Sequence, residues 1–149
     1  MRSDFELGAC PFCQLDRKFN KILFENDKAL AWEIPDMFER KKGLASQLLI
    51  VPKRHVRFPW ELLPDENTAL YDAVKWLSAN FDLPGGMLFC RFGDMRYNAG
   101  TVPHLHWNLW VPDGTKEIRV PIYKDPADRV ANQERAASYA LLYEADGEP

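Results

Sequence analysis

The stretch Thr101-Val102-Pro103-His104-Leu105-His106-Trp107-Asn108-Leu109-Trp110 (TVPHLHWNLW) decides how this chain is read. The chain has three histidines, and two of them sit here, one residue apart. Residues 104–111 read as a strand, closed by a turn at Pro112-Asp113-Gly114. Successive side chains of a strand leave opposite faces. His104, His106, Asn108 and Trp110 then share one face, and Leu105, Trp107, Leu109 and Val111 share the other. The second face is uniformly apolar and belongs on a core, so Trp107 reads as packing. The first carries two imidazoles and an amide, roughly 6.5–7 Å from one to the next. A solvated polar face is the plain alternative, and the clustering of a scarce residue speaks against it.

The flanking chain reads as an antiparallel α+β domain. Residues 22–25 (ILFE) and 29–34 (ALAWEI) form a hairpin about Asn26-Asp27-Lys28. Residues 36–43 are a charged loop ending in Gly43, with Arg40-Lys41-Lys42 at a solvated tip. Residues 47–51 (QLLIV) are a buried strand stopped by Pro52. Pro64-Asp65-Glu66 starts a helix, with proline and acids in its first turn. Leu70, Val74, Leu77 and Phe81 mark its apolar stripe, and Pro84-Gly85-Gly86 ends it. Residues 87–92 form a further strand, in which Cys90 reads as a buried structural thiol. Residues 93–101 are a loop. Residues 116–122 read as an edge strand because of Pro121, and residues 126–144 as a C-terminal helix. The whole of 1–149 is expected to be one domain: an antiparallel sheet with two helices.

Composition narrows the function. An apolar fraction of 46% and an aromatic fraction of 13% fit a globular protein. A net charge of −3 without a basic tail argues against binding a nucleic acid polymer. No apolar run approaches the ~18 residues of a membrane span, and no apolar leader is present. The expected compartment is the cytoplasm, where disulfides rarely persist.

Cys10-Pro11-Phe12-Cys13 therefore needs another explanation. A C-x-x-C in a reducing compartment is a redox pair or half of a metal site. A redox motif should follow a strand and open a long helix, whereas this one opens the chain, so a metal is the favoured reading. The missing ligands are then histidines, and His55, His104 and His106 are the ones available. A structural zinc takes four ligands. Five candidates for four places leave one histidine free, and spacing alone does not say which.

Three segments together resemble the histidine-triad (HIT) superfamily of nucleotide hydrolases and transferases. They are Cys10-Pro11-Phe12-Cys13; the run Leu48-Leu49-Ile50-Val51-Pro52-Lys53-Arg54-His55, similar to that family's apolar run ending in P-K-x-H; and the H-x-H strand itself. They cover roughly residues 10–112. The resemblance implies a structural zinc on Cys10, Cys13, His55 and His104, which leaves His106 as the nucleophile. It also implies a nucleotide substrate and a homodimer. The chain departs from the usual H-x-H-x-H at Asn108. The galactose-1-phosphate uridylyltransferases and dinucleoside-polyphosphate phosphorylases carry glutamine there. The surrounding Thr-x-Pro-H-x-H-x-N-x-W is similar to the uridylyltransferase signature. Gln47 is a second departure, at a strand position where many triad hydrolases have histidine.

On this resemblance, His106 attacks an α-phosphorus and forms a nucleotidyl-histidine. The loop Asn98-Ala99-Gly100-Thr101 offers backbone N–H groups, a hydroxyl and an amide to phosphate oxygens, with Thr101 at the family's phosphate-contacting Ser or Thr. Asn108 donates a hydrogen bond but carries no proton near neutral pH. Gln47 and Trp110 are further candidates for nucleotide contact. Two other readings stay open: a non-catalytic nucleotide-binding module, and a metallohydrolase with both His104 and His106 on the metal.

Overall fold

The computed structural model describes residues 10–35, 41–100 and 102–124. The expected C-terminal helix over 126–144 lies outside them, as do Arg40 and Thr101. Five strands form one sheet: β1 (Ile22–Glu25), β2 (Ala29–Glu33), β3 (Leu44–Pro52), β4 (Met87–Cys90) and β5 (Trp107–Pro112). Among the described residues there is one α-helix, α1 (Pro64–Asn80). The sheet order is β1-β2-β3-β5-β4, with every neighbouring pair antiparallel. β3 and β4 therefore run parallel, joined through α1, and β5 fills the place between them. The last strand in sequence thus becomes a central one, with its backbone bonded on both sides.

The hairpin forms as its sequence dictates. Asn26 Oδ1 accepts from the backbone N–H of Lys28 and Ala29, at 3.0 and 2.8 Å, and so closes the turn. Its Nδ2 donates to Ala69 O, which ties the hairpin to α1. Pro64 begins the helix, where its missing N–H costs nothing. Glu66 reaches back to accept from Leu63 N at 2.8 Å. Leu70 and Leu77 of the expected stripe are fully buried, joined by Ala69 and Ala73; Val74 and Phe81 flank them half-buried. The two alanines let the helix lie close against Ala31, Leu48 and Ile50 of the sheet.

Both faces of the sheet are covered. Leu48, Ile50, Leu105 and Leu109 face the helix, and Trp107 packs against them as expected. Leu30, Trp32, Leu49 and Val51 face the other way, onto Phe12 and Leu15 of the N-terminal segment. Cys90 is half-buried against the helix-side core, and burial raises its thiol pKa.

Five expectations need correction. The strand over 104–111 is β5 at Trp107–Pro112, so His104 and His106 precede it. Their backbone serves other partners: Leu105 N donates to Val56 O at 2.7 Å, a bond outside the ladder. The face alternation nonetheless extends back through them. The strand over 47–51 runs from Leu44 to Pro52, because Pro52 sits at its end, where a lost donor is tolerated. The strand over 87–92 stops at Cys90. Residues 116–122 form no strand; the cations Lys41 and Arg91 hold the carbonyls of Arg119 and Pro121 at 2.9 and 3.1 Å. Lys41 is accordingly half-buried rather than at a solvated tip. Among the described residues, no helix is long and apolar enough to cross a membrane.

Leu77 carries a clear test of this packing. Leu77→Ala should lower unfolding stability by about 2–5 kcal/mol, measured by urea denaturation. A loss under ~1 kcal/mol would mean that α1 does not pack on the sheet as described.

Candidate functional site

The four groups Cys10, Cys13, His55 and His104 come together although they lie far apart in sequence. One ligand atom from each lies within 4.8 Å of every other. His104 Nδ1 stands 3.4 Å from both cysteine sulfurs and 3.2 Å from His55 Nδ1, and His55 Nδ1 is 3.3 Å from Cys13 Sγ. A tetrahedral ion with bonds of 2.0–2.3 Å has ligand–ligand edges of about 3.3–3.8 Å. The donor set and its spacing therefore fit a metal ion.

The surroundings fit it too. His104 Nε2 lies 2.8 Å from Pro52 O, and a carbonyl only accepts, so Nε2 carries the proton and Nδ1 keeps its lone pair for the cluster. Burial, above all, pushes the His104 pKa down to about 4, so the ring is the neutral species a metal needs. Cys13 is exposed as a residue, but its sulfur is desolvated beside Cys10, and this pushes the thiol up to about 11. Metal binding must therefore release protons. His55 is held in place by its neighbour. Arg54 grips buried Glu66 of α1 through two bonds, of 2.9 and 2.7 Å, and fixes the turn that carries His55.

His106 stands outside the cluster. Its Nδ1 lies 2.8 Å from His104 O, so Nδ1 is the protonated nitrogen and Nε2 is left with the lone pair. Phe12, from inside the C-x-x-C, meets the His106 ring edge-on at 5.1 Å and the His104 ring at 5.9 Å. The same short segment thus supplies two ligands and a wall for the free histidine. Burial lowers the His106 pKa, the His104 carbonyl raises it, and the Arg91 charge lowers it further. A neutral, nucleophilic imidazole results.

His106 borders a small cleft that is open to solvent and lined also by Arg57, Arg91, Asn98 and Gly100. Asn98 is buried and spends its amide within the loop: Oδ1 accepts from Gly100 N at 2.7 Å and Nδ2 donates to Phe92 O at 2.8 Å. Gly100 is required there, since a Cβ would stand 2.8 Å from Asn98 Oδ1. Ala99 between them takes the left-handed conformation at φ 57°. Thr101 lies outside the described residues. Asn108 is buried next along the face, and among the described residues its Nδ2 has no hydrogen-bond partner. Trp110 follows, buried, with its Nε1 likewise unpartnered among them. Phe89 meets its ring edge-on at 5.0 Å and Lys41 Nζ lies 5.5 Å from its centre. Gln47, opposite Trp110 in the register, accepts from Lys41 N through Oε1.

Arg57, Arg91 and Phe12 were not among the residues singled out in the sequence. A lone arginine in Arg57 or Arg91 has no spacing pattern to mark it. Phe12 lay inside a recognised motif, but its contacts follow from the fold alone.

No protein-family model matches the chain, and no curated protein matches it in sequence. Solved structures do match in shape. A histidine triad nucleotide-binding protein from Candida albicans aligns over 90% of this chain and 98% of its own, at 18% identity and a TM-score of 0.55. A zinc-bound histidine triad family protein from Mycobacterium smegmatis aligns over 93% and 98%, at 20% identity and a TM-score of 0.53. A HIT family hydrolase from Clostridium thermocellum aligns over 76% and 97%, at 20% identity and a TM-score of 0.53. Identities this low establish the fold: the chain has the histidine-triad fold.

The cluster makes a direct prediction. The purified protein should bind one equivalent of zinc, and cobalt substituted for it should give the visible absorption of a tetrahedral thiolate site. Cys13→Ala should abolish both and lower the melting temperature. A cobalt spectrum lacking thiolate character would remove the cysteines from the ligand set.

Proposed function

We propose that this protein is a nucleotidyl hydrolase or transferase acting on the α-phosphate of a nucleotide substrate, such as a dinucleoside polyphosphate. The observation that carries this reading is the His106 hydrogen bond to its own chain, which leaves the Nε2 lone pair on the cleft. The histidine-triad fold and the names of two solved relatives, one nucleotide-binding and one a hydrolase, support it.

In this mechanism His106 Nε2 attacks the α-phosphorus. A nitrogen–phosphorus bond forms, the bond to the leaving oxygen breaks, and the electron pair departs with that oxygen. The Nδ1 proton stays on the ring, donated in a hydrogen bond to the His104 carbonyl, throughout. Water, a phosphate or a sugar phosphate then attacks the nucleotidyl-histidine and frees the imidazole. Such transfers depend mainly on positioning and charge stabilisation. Thr101 and the loop Asn98–Gly100 hold phosphate oxygens in this reading. Asn108 adds its unpartnered N–H, and Gln47 and Trp110 border the nucleotide further along the face. Zinc on Cys10, Cys13, His55 and His104 is structural: it fixes the N-terminal segment to the His55 turn and to the nucleophile's segment. The ligand atoms that converge are those of Cys10, Cys13, His55 and His104, and His106 stands outside them, which speaks against a metallohydrolase with both histidines on the metal. The exposed edge of β4, where Met87 and Leu88 stand open, is where a homodimer would pair.

Two measurements test this. Intact mass after brief mixing with dinucleoside polyphosphates, nucleotide sugars and adenosine phosphoramidates should show one added nucleoside monophosphate, absent in His106→Gly. No adduct and no turnover across the panel would leave a non-catalytic nucleotide-binding module. Separately, Asn108 cannot protonate an amine on departure, so phosphoramidates should be poor substrates. Asn108→His should raise phosphoramidate turnover by roughly 10-fold or more, within the usual reach of general acid catalysis. An unchanged or lower rate would reassign Asn108.

A further inference from the structure

We infer that Arg91, with Arg57 on the same cleft, forms a second anion subsite that binds the phosphate on the leaving side of the bond broken at His106. The substrate class is then a nucleotide joined through a pyrophosphate linkage, and this inference rests on the nucleotidyl reading above.

The argument begins with charge placement. The chain is acidic overall, with 22 aspartates and glutamates against 19 lysines and arginines. Most of its described arginines use that surplus. Arg17 pairs with Glu25, Arg54 with Glu66, Arg96 with Asp94 and Arg119 with Glu117. Arg91 is different. It is half-buried on the cleft, and among the described residues no carboxylate lies within ion-pair distance. Its Nη2 donates to Pro121 O at 3.1 Å, and its guanidinium lies 5.6 Å from the centre of the Phe89 ring. These contacts orient the cation without neutralising it. Burial accordingly lowers its pKa.

Lys41 repeats the pattern on the far side of Trp110. It is half-buried, held by a carbonyl, and its pKa is lowered by burial first and then by the Arg91 and Lys116 charges. The Arg91 charge is felt by both Lys41 and His106. A desolvated cation without a partner costs stability, and an anion in the cleft would recover it. On the other side, Arg57 Nη2 donates to Gly93 O at 3.1 Å, which sets its guanidinium at the cleft wall.

The chemistry needs such a group. When His106 displaces a phosphate or nucleotide, the leaving oxygen takes the electron pair and one more negative charge. Asn108 supplies no proton to it. A guanidinium neutralises that charge without proton transfer, through paired N–H groups matched to phosphate oxygens. Arg91 therefore favours leaving groups that carry phosphate.

The test compares two nucleotide substrates with the full-length protein. One is a dinucleoside tetraphosphate; the other is a nucleoside 5′-(p-nitrophenyl) phosphate, whose leaving group carries no phosphate. Arg91→Gln should lower kcat/KM about 100-fold on the first and less than about 5-fold on the second. Arg91→Lys should recover part of the loss. Equal losses on both substrates would overturn the subsite. If Arg91→Gln fails to fold by circular dichroism, Arg91→Lys carries the same comparison with a smaller selective loss. Binding gives an independent readout: inorganic pyrophosphate should raise the melting temperature of the wild type and not of the Arg91 variant. If the wild type turns over neither substrate, the nucleotidyl reading fails and the pyrophosphate shift alone decides the subsite. A wild type left unshifted by pyrophosphate overturns it.

Discussion

The structure turns on one crossing of the chain. Residues 104–106 pass the turn after β3, and there the backbone N–H of Leu105 bonds Val56 O while the His104 ring bonds Pro52 O. These bonds are 2.7 and 2.8 Å long and pull on opposite sides of a single peptide stretch. Alternation then settles three fates at once. Leu105 enters the helix-side core, His104 turns to the cysteines and His55, and His106 faces the cleft. The crossing holds because β5, which follows directly, is locked between β3 and β4. A central strand has no free edge along which its register can slip.

Electrostatics divides the surface around that crossing. Carboxylates pair with arginines on the exterior and at the start of α1, where Glu66 also satisfies the backbone N–H of Leu63. The cleft instead collects Arg57 and Arg91, with Lys41 beside Trp110. The overall charge of −3 conceals this, because a net acidic remainder outweighs the cationic recess. A low-dielectric rim strengthens each of those cations toward whatever enters.

Local chemistry explains which parts were legible in the sequence. Asn26 and Pro64 act within a few residues of themselves, so the hairpin and the helix start could be read directly. The Cys10, Cys13, His55 and His104 cluster was legible as a set of candidates, because a C-x-x-C and scarce histidines supply few other combinations of soft ligands. Spacing did not choose among the histidines; the Pro52 and His104 carbonyls do, by fixing which nitrogen of each ring holds its proton. The strand over 104–111 was misread at its start because alternation survives where ladder bonding does not. Residues 116–122 have strand-like composition, but distant cations take their carbonyls. Arg57 and Arg91 become a pair only when α1 and β4 bring their segments to one cleft, and no local pattern records that.

The metal cluster and the free histidine are joined by more than proximity. The carbonyl that accepts the His106 Nδ1 proton belongs to His104, itself a member of the cluster. Rotating the His104 peptide would move that carbonyl, and the His106 ring would lose what fixes both its tautomer and its direction. Phe12 adds a second link, since the segment between Cys10 and Cys13 presses its ring edge-on against both histidines. An ion holding Cys10, Cys13 and His104 would therefore stiffen the His106 ring from two sides. This explains in physical terms how a candidate metal site can steady a histidine that stands outside it. The shared peptide transmits position, while separate hydrogen bonds, to Pro52 O and to His104 O, hold the two imidazoles in different orientations.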